Sequence, residues 1–443
     1  MNSTNTFDFD ALQRNVIAKG LCTRCGVCAG VCPVGIIGKD EDGYPIATGN
    51  CISCNKCNLC CPGGDVDFPL LSKQIFGAGY DLLSLTGYVE EMYIANSINN
   101  GVREAGSSGG VVTALLLYLL GTGKIQGAIV VGMDEKKPYL SKGILATTAD
   151  EILAAAGSKY SITPSMEVLS LLRKKEGRFA IVGLPCQIHG LRKLMEVDPQ
   201  LSGKIYCILG LFCNCNLEPF AAKEAIEIKG IGLADVGRFD YRGGTWPGRF
   251  QVTKRNGDKI HLNSLTIKFT MNIMFRLFGA RRCYLCVDAL AEYADISFGD
   301  FWAHDYTGKL AENERCTLVY QRTSVGMAIL QHALKNEVIQ LQTLPQQRNS
   351  IRILNMTREK KQRALLLIWQ KSKHGIPIPD YHFEIKKPSF SERRILFIHH
   401  FYNLIIKLHL RKPIVKMLFS PPGKVIDGMN SCRKKWFGNY KGN

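Results

Sequence analysis

The chain lacks an apolar run long enough to cross a bilayer. Its longest such stretch, Val111 to Leu120, is interrupted by Thr113, and a spanning helix needs about 20 residues. It also lacks an export-type start, because MNSTNTFDFD is polar and acidic. We therefore expect a cytoplasmic protein. There is no P-loop, and the nearest approach to a dinucleotide fingerprint, Gly230-Ile-Gly232, has Asp235 where the third glycine belongs. Acidic residues are scarce in the last quarter: residues 331–443 hold 6 Asp and Glu against 22 Lys and Arg, whereas residues 1–330 hold 32 against 34. The formal net charge of +18 therefore resides in the tail.

Cysteine, by contrast, is plentiful, with 17 in the chain. In a cytoplasmic protein that number points to metal rather than to disulfides. Two runs stand out: Cys22-x2-Cys25-x2-Cys28-x3-Cys32-Pro33 and Cys51-x2-Cys54-x2-Cys57-x3-Cys61-Pro62. All four cysteines and the proline recur at an offset of 29 residues. This is an internal duplication with the spacing of a bacterial-type ferredoxin holding two 4Fe-4S clusters. Three cysteines in a tight loop wrap one cluster, and the cysteine before each proline crosses to the other. One cluster is thus assigned to Cys22, Cys25, Cys28 and Cys61, the other to Cys51, Cys54, Cys57 and Cys32. Pro33 and Pro62 turn the chain away after the last ligand. Gly26, Ala29, Gly30 and Gly35 leave room near the cluster. Zinc sites instead pair CxxC knuckles across longer loops. Cys60 reads as a structural thiol beside a ligand. Each assembled cluster with four thiolates adds about two negative charges, leaving a mildly acidic redox body and a strongly basic tail.

After this unit, strands alternate with helices. Val89–Ala95, Ile125–Gly132, Phe179–Gly183, Ile205–Phe212 and Ala294–Gly299 read as strands, and Val111–Leu120 and a segment ending at Met195 as helices. The alternation predicts an α/β core with a largely parallel sheet. Ligands of such sheets sit beyond the carboxyl ends of the strands. Cys186, Cys213 and Asp300 each fall at such an end.

Six segments carry a resemblance. Gly106-Ser-Ser-Gly-Gly-Val-Val-Thr-Ala-Leu115, Ser158-Lys-Tyr160, Val182-Gly-Leu-Pro-Cys-Gln187, Gly210-Leu-Phe-Cys213, Arg282-Cys-x2-Cys286 and Ala294-Asp-Ile-Ser-Phe-Gly-Asp300 resemble the coenzyme F420 hydrogenase/dehydrogenase beta subunit family. The likeness runs from about residue 88 to about residue 330, in the family's order. It implies a flavin-binding α/β core with bound FAD, at least one 4Fe-4S cluster near it, and hydride exchange with an organic small-molecule substrate. The chain then divides into an α+β, ferredoxin-like two-cluster domain at 13–71, the family's N-terminal region at 88–165, its C-terminal region with FAD and a third cluster at 166–330, and a basic helical tail at 331–443.

Read locally, Gly106, Ser107, Ser108, Gly109 and Gly110 precede a helix. Their amides are available to an anion, or Ser107 or Ser108 is an N-cap. The resemblance places this loop against the flavin. It likewise implies that Lys159 and Tyr160 contact the flavin or substrate, the alternative for Lys159 being a solvated side chain. Arg242 could clamp a phosphate or carboxylate or brace a turn. Lys159 and Asp300 are the catalytic candidates, Asp300 as general acid or ribose ligand. His189, early in a helix, reads as structural. Cys283 and Cys286, with Cys186 and Cys213, form a candidate third 4Fe-4S site, with Cys215 as substitute ligand. Thiolates at that spacing suit iron–sulfur or zinc. Cys207, Cys316 and Cys432 read as buried apolar residues.

Ser391–Phe419 reads as a basic helix with apolar Phe397, Phe401, Leu404, Ile405 and Leu408, broken or kinked at Pro413. It suits peripheral contact of residues 391–420 with an anionic membrane face, or packing on the domain or a partner. No nucleic-acid partner is expected, since the charge lies outside any recognisable binding module. The sequence as a whole predicts a flavoprotein oxidoreductase that exchanges electrons with a protein such as ferredoxin. The other class of reading is a non-catalytic subunit relaying electrons to a partner enzyme.

Overall fold

The computed structural model describes residues 8–263, 267–301, 315–344, 351–389 and 394–419. Trp302, Cys432, residues 391–393 and everything from 420 onward lie outside them. Within the cysteine-rich segment, β1 (Ile37–Lys39) and β2 (Pro45–Ala47) pair antiparallel. Helix α1 (Val27–Val31) follows the first two cysteines of one run and carries the third, Cys28, and α2 (Lys56–Leu59) carries Cys57 at the same place in the second.

The main sheet takes β3 (Glu91–Ser97), β4 (Gly127–Met133), β5 (Ser141–Ala146), β6 (Phe179–Gly183) and β7 (Ile205–Leu211). Between these and its last three strands, β8 (Val236–Gly243), β9 (Arg249–Lys254) and β10 (Lys259–His261) build a separate antiparallel sheet. The main sheet resumes with β11 (Ile296–Phe301), β12 (Cys316–Gln321) and β13 (Ile339–Thr343). Its order is β13-β3-β12-β11-β7-β6-β4-β5.

This sheet is mixed, not largely parallel as the alternation suggests. Only the central run β11-β7-β6-β4 is parallel; both flanks are antiparallel. The reason at one flank is chain length. Residues 134–140 alone join β4 to β5, and a parallel return needs a crossover of about a dozen residues or more.

Alternate residues of each strand serve opposite faces. Ala95, Val130, Leu209 and Val319 meet α3 (Val111–Gly121) and later α6 (Ser324–Lys335), through Leu115, Leu119, Ile329 and Leu330. Helix α4 (Ala149–Ala154) lies beside β5 and α3. Ile129, Ile181 and Ile208 face the other way, toward α5 (Pro185–Val197) with its Ile188, Leu191 and Leu194, and toward Val27 and Val31 of α1. Full burial of one such leucine contributes about 1.5–3 kcal/mol.

Helix α7 (Ile351–Lys373) joins this second layer through Ala364, Leu367 and Ile368. The segment read as a tail thus supplies one strand and one core helix. The basic stretch beyond forms two helices, α8 (Arg394–Lys407) and α9 (Arg411–Phe419). The break lies at Leu408–Leu410, where His409 has φ 55°, not at Pro413. Pro413 sits in the first turn of α9, where its missing N–H costs nothing.

Candidate functional site

The duplicated cysteine runs fold into duplicated loops. Arg24 and Ser53 both have positive φ, as do Gly26 and Asn55, each pair sharing the offset of 29 residues. The Arg24 amide donates to Cys22 Sγ at 3.4 Å, and the Ser53 amide donates to Cys51 Sγ at 3.4 Å. The two loops bring the thiols into two sets. Cys22, Cys25, Cys28 and Cys61 line one hollow, and Cys32, Cys51, Cys54 and Cys57 line the other. Cys60 is fully buried and lines neither.

Burial pushes the Cys22 thiol up to about 12, Cys25 to about 11 and Cys57 to about 12. Buried thiolates need a positive partner, which iron supplies while displacing the protons. The donor set therefore fits two iron–sulfur clusters. Cys28 also feels the charge of Cys57 across the two sets, so the hollows are neighbours. Gly30 does not border the cluster space as the sequence suggests. A Cβ there would meet the Met166 carbonyl oxygen at 2.2 Å, so this glycine lets α1 press against the core.

Charged pins dock this unit on the main domain. Asp198 accepts from Lys56 Nζ and from Arg173 Nη2, both at 2.8 Å, and Arg173 also donates to the Val31 carbonyl. Arg24 pairs with Glu218 at 2.7 Å. Buried Arg282 donates to the carbonyls of Leu21 and Gly63, joining the loop of Cys283 and Cys286 to that of the first hollow.

The second cysteine group also converges. Cys186 lies in the first turn of α5, Cys213 follows β7, Cys283 sits within a short helical turn, Arg281–Leu285, and Cys286 ends that turn. Burial raises Cys186 well above its ordinary value, and the charges of Cys25, Cys283, Cys286 and Cys213 add to the rise. Cys213 is pushed up to about 12 by burial, with Cys283 and Cys286 adding to it. Cys215 donates toward Cys283, which lowers Cys283. Thiolates around one zinc stand about 4 Å apart. Among the described residues, the only group of three or more ligating atoms that lie within 4.8 Å of one another is Asp65, Asp380 and His382. The cysteines are thus spaced too widely for a single ion and suit a polynuclear cluster. Cys207 and Cys316 are buried, 1 % and 2 % exposed.

His189 is buried and hydrogen-bonds Asp288 at 2.9 Å. Asp288, held down to about 2 by that contact, also accepts from the amides of Leu290 and Glu292. His189 therefore braces the segment after Cys286.

A cavity of about 740 Å³ opens between residues 104–107, α4 and the small sheet, within the range of cofactor sites. Gly106, Ser107, Lys159 and Arg242 line it; Ser108, Gly109, Gly110, Tyr160 and Asp300 do not. Ser108 Oγ donates to the Cys316 carbonyl, and the Gly109 amide donates to Thr317 Oγ1 at 2.9 Å. These two residues fasten the loop to β12. Neither serine caps α3. Gly110 holds that position at φ +72°, where a Cβ would meet the Val102 carbonyl oxygen at 2.7 Å. Ser107 Oγ accepts from the Ser158 amide at 2.7 Å, tying the glycine loop to the Ser158–Tyr160 segment.

Lys159 is neither solvated nor free to reach far into the cavity. Its ammonium donates to the carbonyls of Ala155, Ala156 and Gly157 beyond the end of α4. Burial lowers it to about 7, and Arg238 acts in the same direction. Tyr160 packs edge-on to Tyr241 and Phe275. Arg242 donates to the Pro247 carbonyl at 2.9 Å and to Asp300 at 2.6 Å. Its Nη2 is buried without a hydrogen-bond partner, and Tyr160 lies close enough for the two side chains to act on each other. An orphaned guanidinium donor beside a cavity fits an anionic cofactor. Sequence reasoning missed Arg238, Asp240 and Arg315, which also line the cavity. Their only signal was charge on a strand or loop, common to any solvated face.

Lys360 was missed too. Its Nζ lies 2.6 Å from the carbonyl oxygens of both Cys213 and Asp288. A signal existed. Lys360 falls on the stripe Ile353, Thr357, Ala364, Leu367, all buried, where a solvated lysine has no place.

The outer helices divide their faces. Tyr402, Ile405, Val415 and Phe419 pack with the small sheet's core. Phe397, Phe401, Leu404 and Leu408 are exposed by 76, 53, 52 and 56 %. No described helix is long and apolar enough to cross a membrane.

Residues 92–170 match the N-terminal part, and residues 176–347 the C-terminal part, of the family described as coenzyme F420 hydrogenase/dehydrogenase, beta subunit. A coenzyme F420-dependent sulfite reductase of Methanocaldococcus jannaschii is 32 % identical over 302 residues, 64 % of this chain. The chain spans only 43 % of that protein's length. A coenzyme F420 hydrogenase subunit beta of Methanothermobacter thermautotrophicus is 26 % identical over 306 residues, 66 % of this chain and 99 % of that subunit. A chain of the F420-reducing [NiFe] hydrogenase complex from Methanosarcina barkeri shares the fold, with a TM-score of 0.52, 24 % identity, and 67 % and 96 % of the two chains covered.

Proposed function

The chain belongs to the coenzyme F420 hydrogenase/dehydrogenase beta subunit family, and we propose that it is an iron–sulfur flavoprotein oxidoreductase with its own ferredoxin-type entry unit. The observation that carries this reading is the order of four sites. Cys51 and Cys54 are exposed. Their hollow neighbours the one lined by Cys22, Cys25, Cys28 and Cys61. That one adjoins Cys186, Cys213, Cys283 and Cys286 through Cys25. The Leu217 amide, two residues past Cys215, donates to the Tyr160 carbonyl at 2.7 Å, next to Lys159 on the cavity wall.

In this reading the first two sets each hold a 4Fe-4S cluster, the third set holds another, and the cavity holds FAD. A flavin supplies the exchange between one-electron and two-electron chemistry that iron–sulfur clusters lack. Arg242 offers its orphaned N–H to the anionic part of that cofactor, and Asp300 orients Arg242. Lys159 fixes the end of α4 so that Ser107 and Ser158 hold the loop at the cavity mouth. The substrate is an organic two-electron acceptor or donor of the deazaflavin type or similar, and the electron partner is a ferredoxin-like protein. The test is anaerobic purification with reconstitution. A flavin absorbance band with about twelve irons per chain supports the reading; no flavin band after reconstitution rejects it.

A second reading has one observation in its favour. Matched relatives are named as subunits, and the matched fold comes from a hydrogenase complex. The chain would then relay electrons to a partner enzyme. Turnover of an artificial two-electron acceptor by the isolated chain separates the two readings. The outward apolar stripe of α8, next to Lys407 and Lys412, suits peripheral contact with an anionic membrane face.

A further inference from the structure

We propose that Lys360 and Arg363, both on α7, set the reduction potential of the cluster held by Cys186, Cys213, Cys283 and Cys286. The inference rests on the third-cluster reading above. It concerns residues outside the shared family segment, because α7 begins at Ile351, after the last matched residue, 347.

Lys360 is 2 % exposed. A buried ammonium is costly without a negative partner. Two carbonyls satisfy two of its protons, but carbonyls carry no charge. Among the described residues no carboxylate forms an ion pair with it; the neighbouring Lys361 takes Glu292 at 3.2 Å. Asp288 is engaged by His189. The negative charges that reach Lys360 are those of Cys286, Cys213 and Asp288, followed by that of Cys283. Arg363 repeats the pattern one helical turn on. Its guanidinium stacks 5.2 Å over the Tyr284 ring, its charge reaches Cys215, and its Nε and Nη2 are buried without an acceptor. One buried and one partly buried cation from the same helix therefore lie beside one group of cysteines, and among the described residues neither forms an ion pair with a carboxylate.

A four-thiolate cluster supplies that charge. One-electron reduction adds a further negative charge among the thiolates, and nearby fixed cations stabilise it. The electron comes from the neighbouring set of Cys22, Cys25, Cys28 and Cys61, which is oxidised as this one is reduced. No proton or atom moves. Lys360 and Arg363 thus raise the potential of the third position.

The experiment is an EPR-monitored redox titration of the full reconstituted chain, in wild type, Lys360→Met, Lys360→Arg and Arg363→Gln. The expected result is a lower midpoint for one of three clusters in Lys360→Met and in Arg363→Gln, with the other two unmoved and the wild-type midpoint recovered in Lys360→Arg. Unchanged midpoints in both charge-removing variants overturn the proposal. Loss of the third signal in Lys360→Met with no shift in Arg363→Gln also overturns it, since that marks a structural brace. Wild-type protein with about eight irons per chain defeats the third-cluster reading itself, so the two failures are distinct.

Discussion

Arg242 and Asp300 meet at 2.6 Å although 58 residues separate them. Arg242 belongs to the small sheet and Asp300 to β11 of the main sheet, so this pair closes the wall beside the cavity. Asp300 therefore acts through Arg242 instead of lining the cavity itself. We expect Arg242→Met to weaken flavin binding at least about tenfold and to destabilise the protein by roughly 2 kcal/mol, below the full cost of breaking a buried pair because Asp300 is partly exposed. Asp300→Asn should weaken binding less. Flavin affinity by fluorescence and thermal melting check this; equal affinities in all three proteins would refute the role.

The hollows predict separable clusters. Cys54→Ala should lower iron from about twelve to about eight per chain, abolish reduction by reduced ferredoxin, and leave the flavin bound. Cys25→Ala should do the same through the other cluster. Iron analysis with a flavin spectrum reads both effects, and an unchanged iron count in either variant counts against the assignment.

Asp198 makes docking of the cysteine-rich unit acid-sensitive. Arg173 and Lys56 hold its carboxyl down to about 2, against about 3.9 in an unfolded chain. A depressed carboxyl stabilises the fold above the unfolded value and loses that contribution as pH falls. Stability from Asp198 should therefore be complete above about pH 4 and vanish on the way to about pH 2. Asp198→Asn should speed loss of cluster absorbance near neutrality, and the gap from wild type should close in acid. A gap that persists at pH 2 would exclude the ion pairs as its cause.

The outer stripe of α8 predicts lipid binding. Replacing Phe397, Phe401 and Leu404 together with serine should leave the fold intact, because all three are exposed. Wild-type protein should pellet with vesicles of anionic phospholipid and be released by high salt. The triple variant should stay in the supernatant. Equal pelleting of both proteins would reject the membrane contact and favour a protein partner.

Much of this architecture was written locally. The 29-residue duplication of cysteines reappears as duplicated positive-φ positions at Arg24 and Ser53, because ligand spacing and loop shape are both short-range properties. The crossing of Cys32 and Cys61 between hollows was likewise legible from spacing. The strands at 179–183 and 205–211 were legible as short apolar runs ended by glycine or cysteine. The antiparallel flanks were not, since pairing partners such as β3 and β12 lie more than 200 residues apart.

The sequence by itself determined which thiols group together near the N-terminus and that positive charge gathers at the end. Its physical means were local: ligand spacing, apolar periodicity and composition. Only the tertiary structure decided that Lys360, in a basic helix, is buried against Cys213, and that Lys159 spends its protons on the end of α4. Only the tertiary structure paired Arg242 with Asp300. Each of these depends on which distant backbone or charge a side chain meets; the apolar stripe of α7 marks Lys360 as an inward position, but one chain read in order carries no record of the partner.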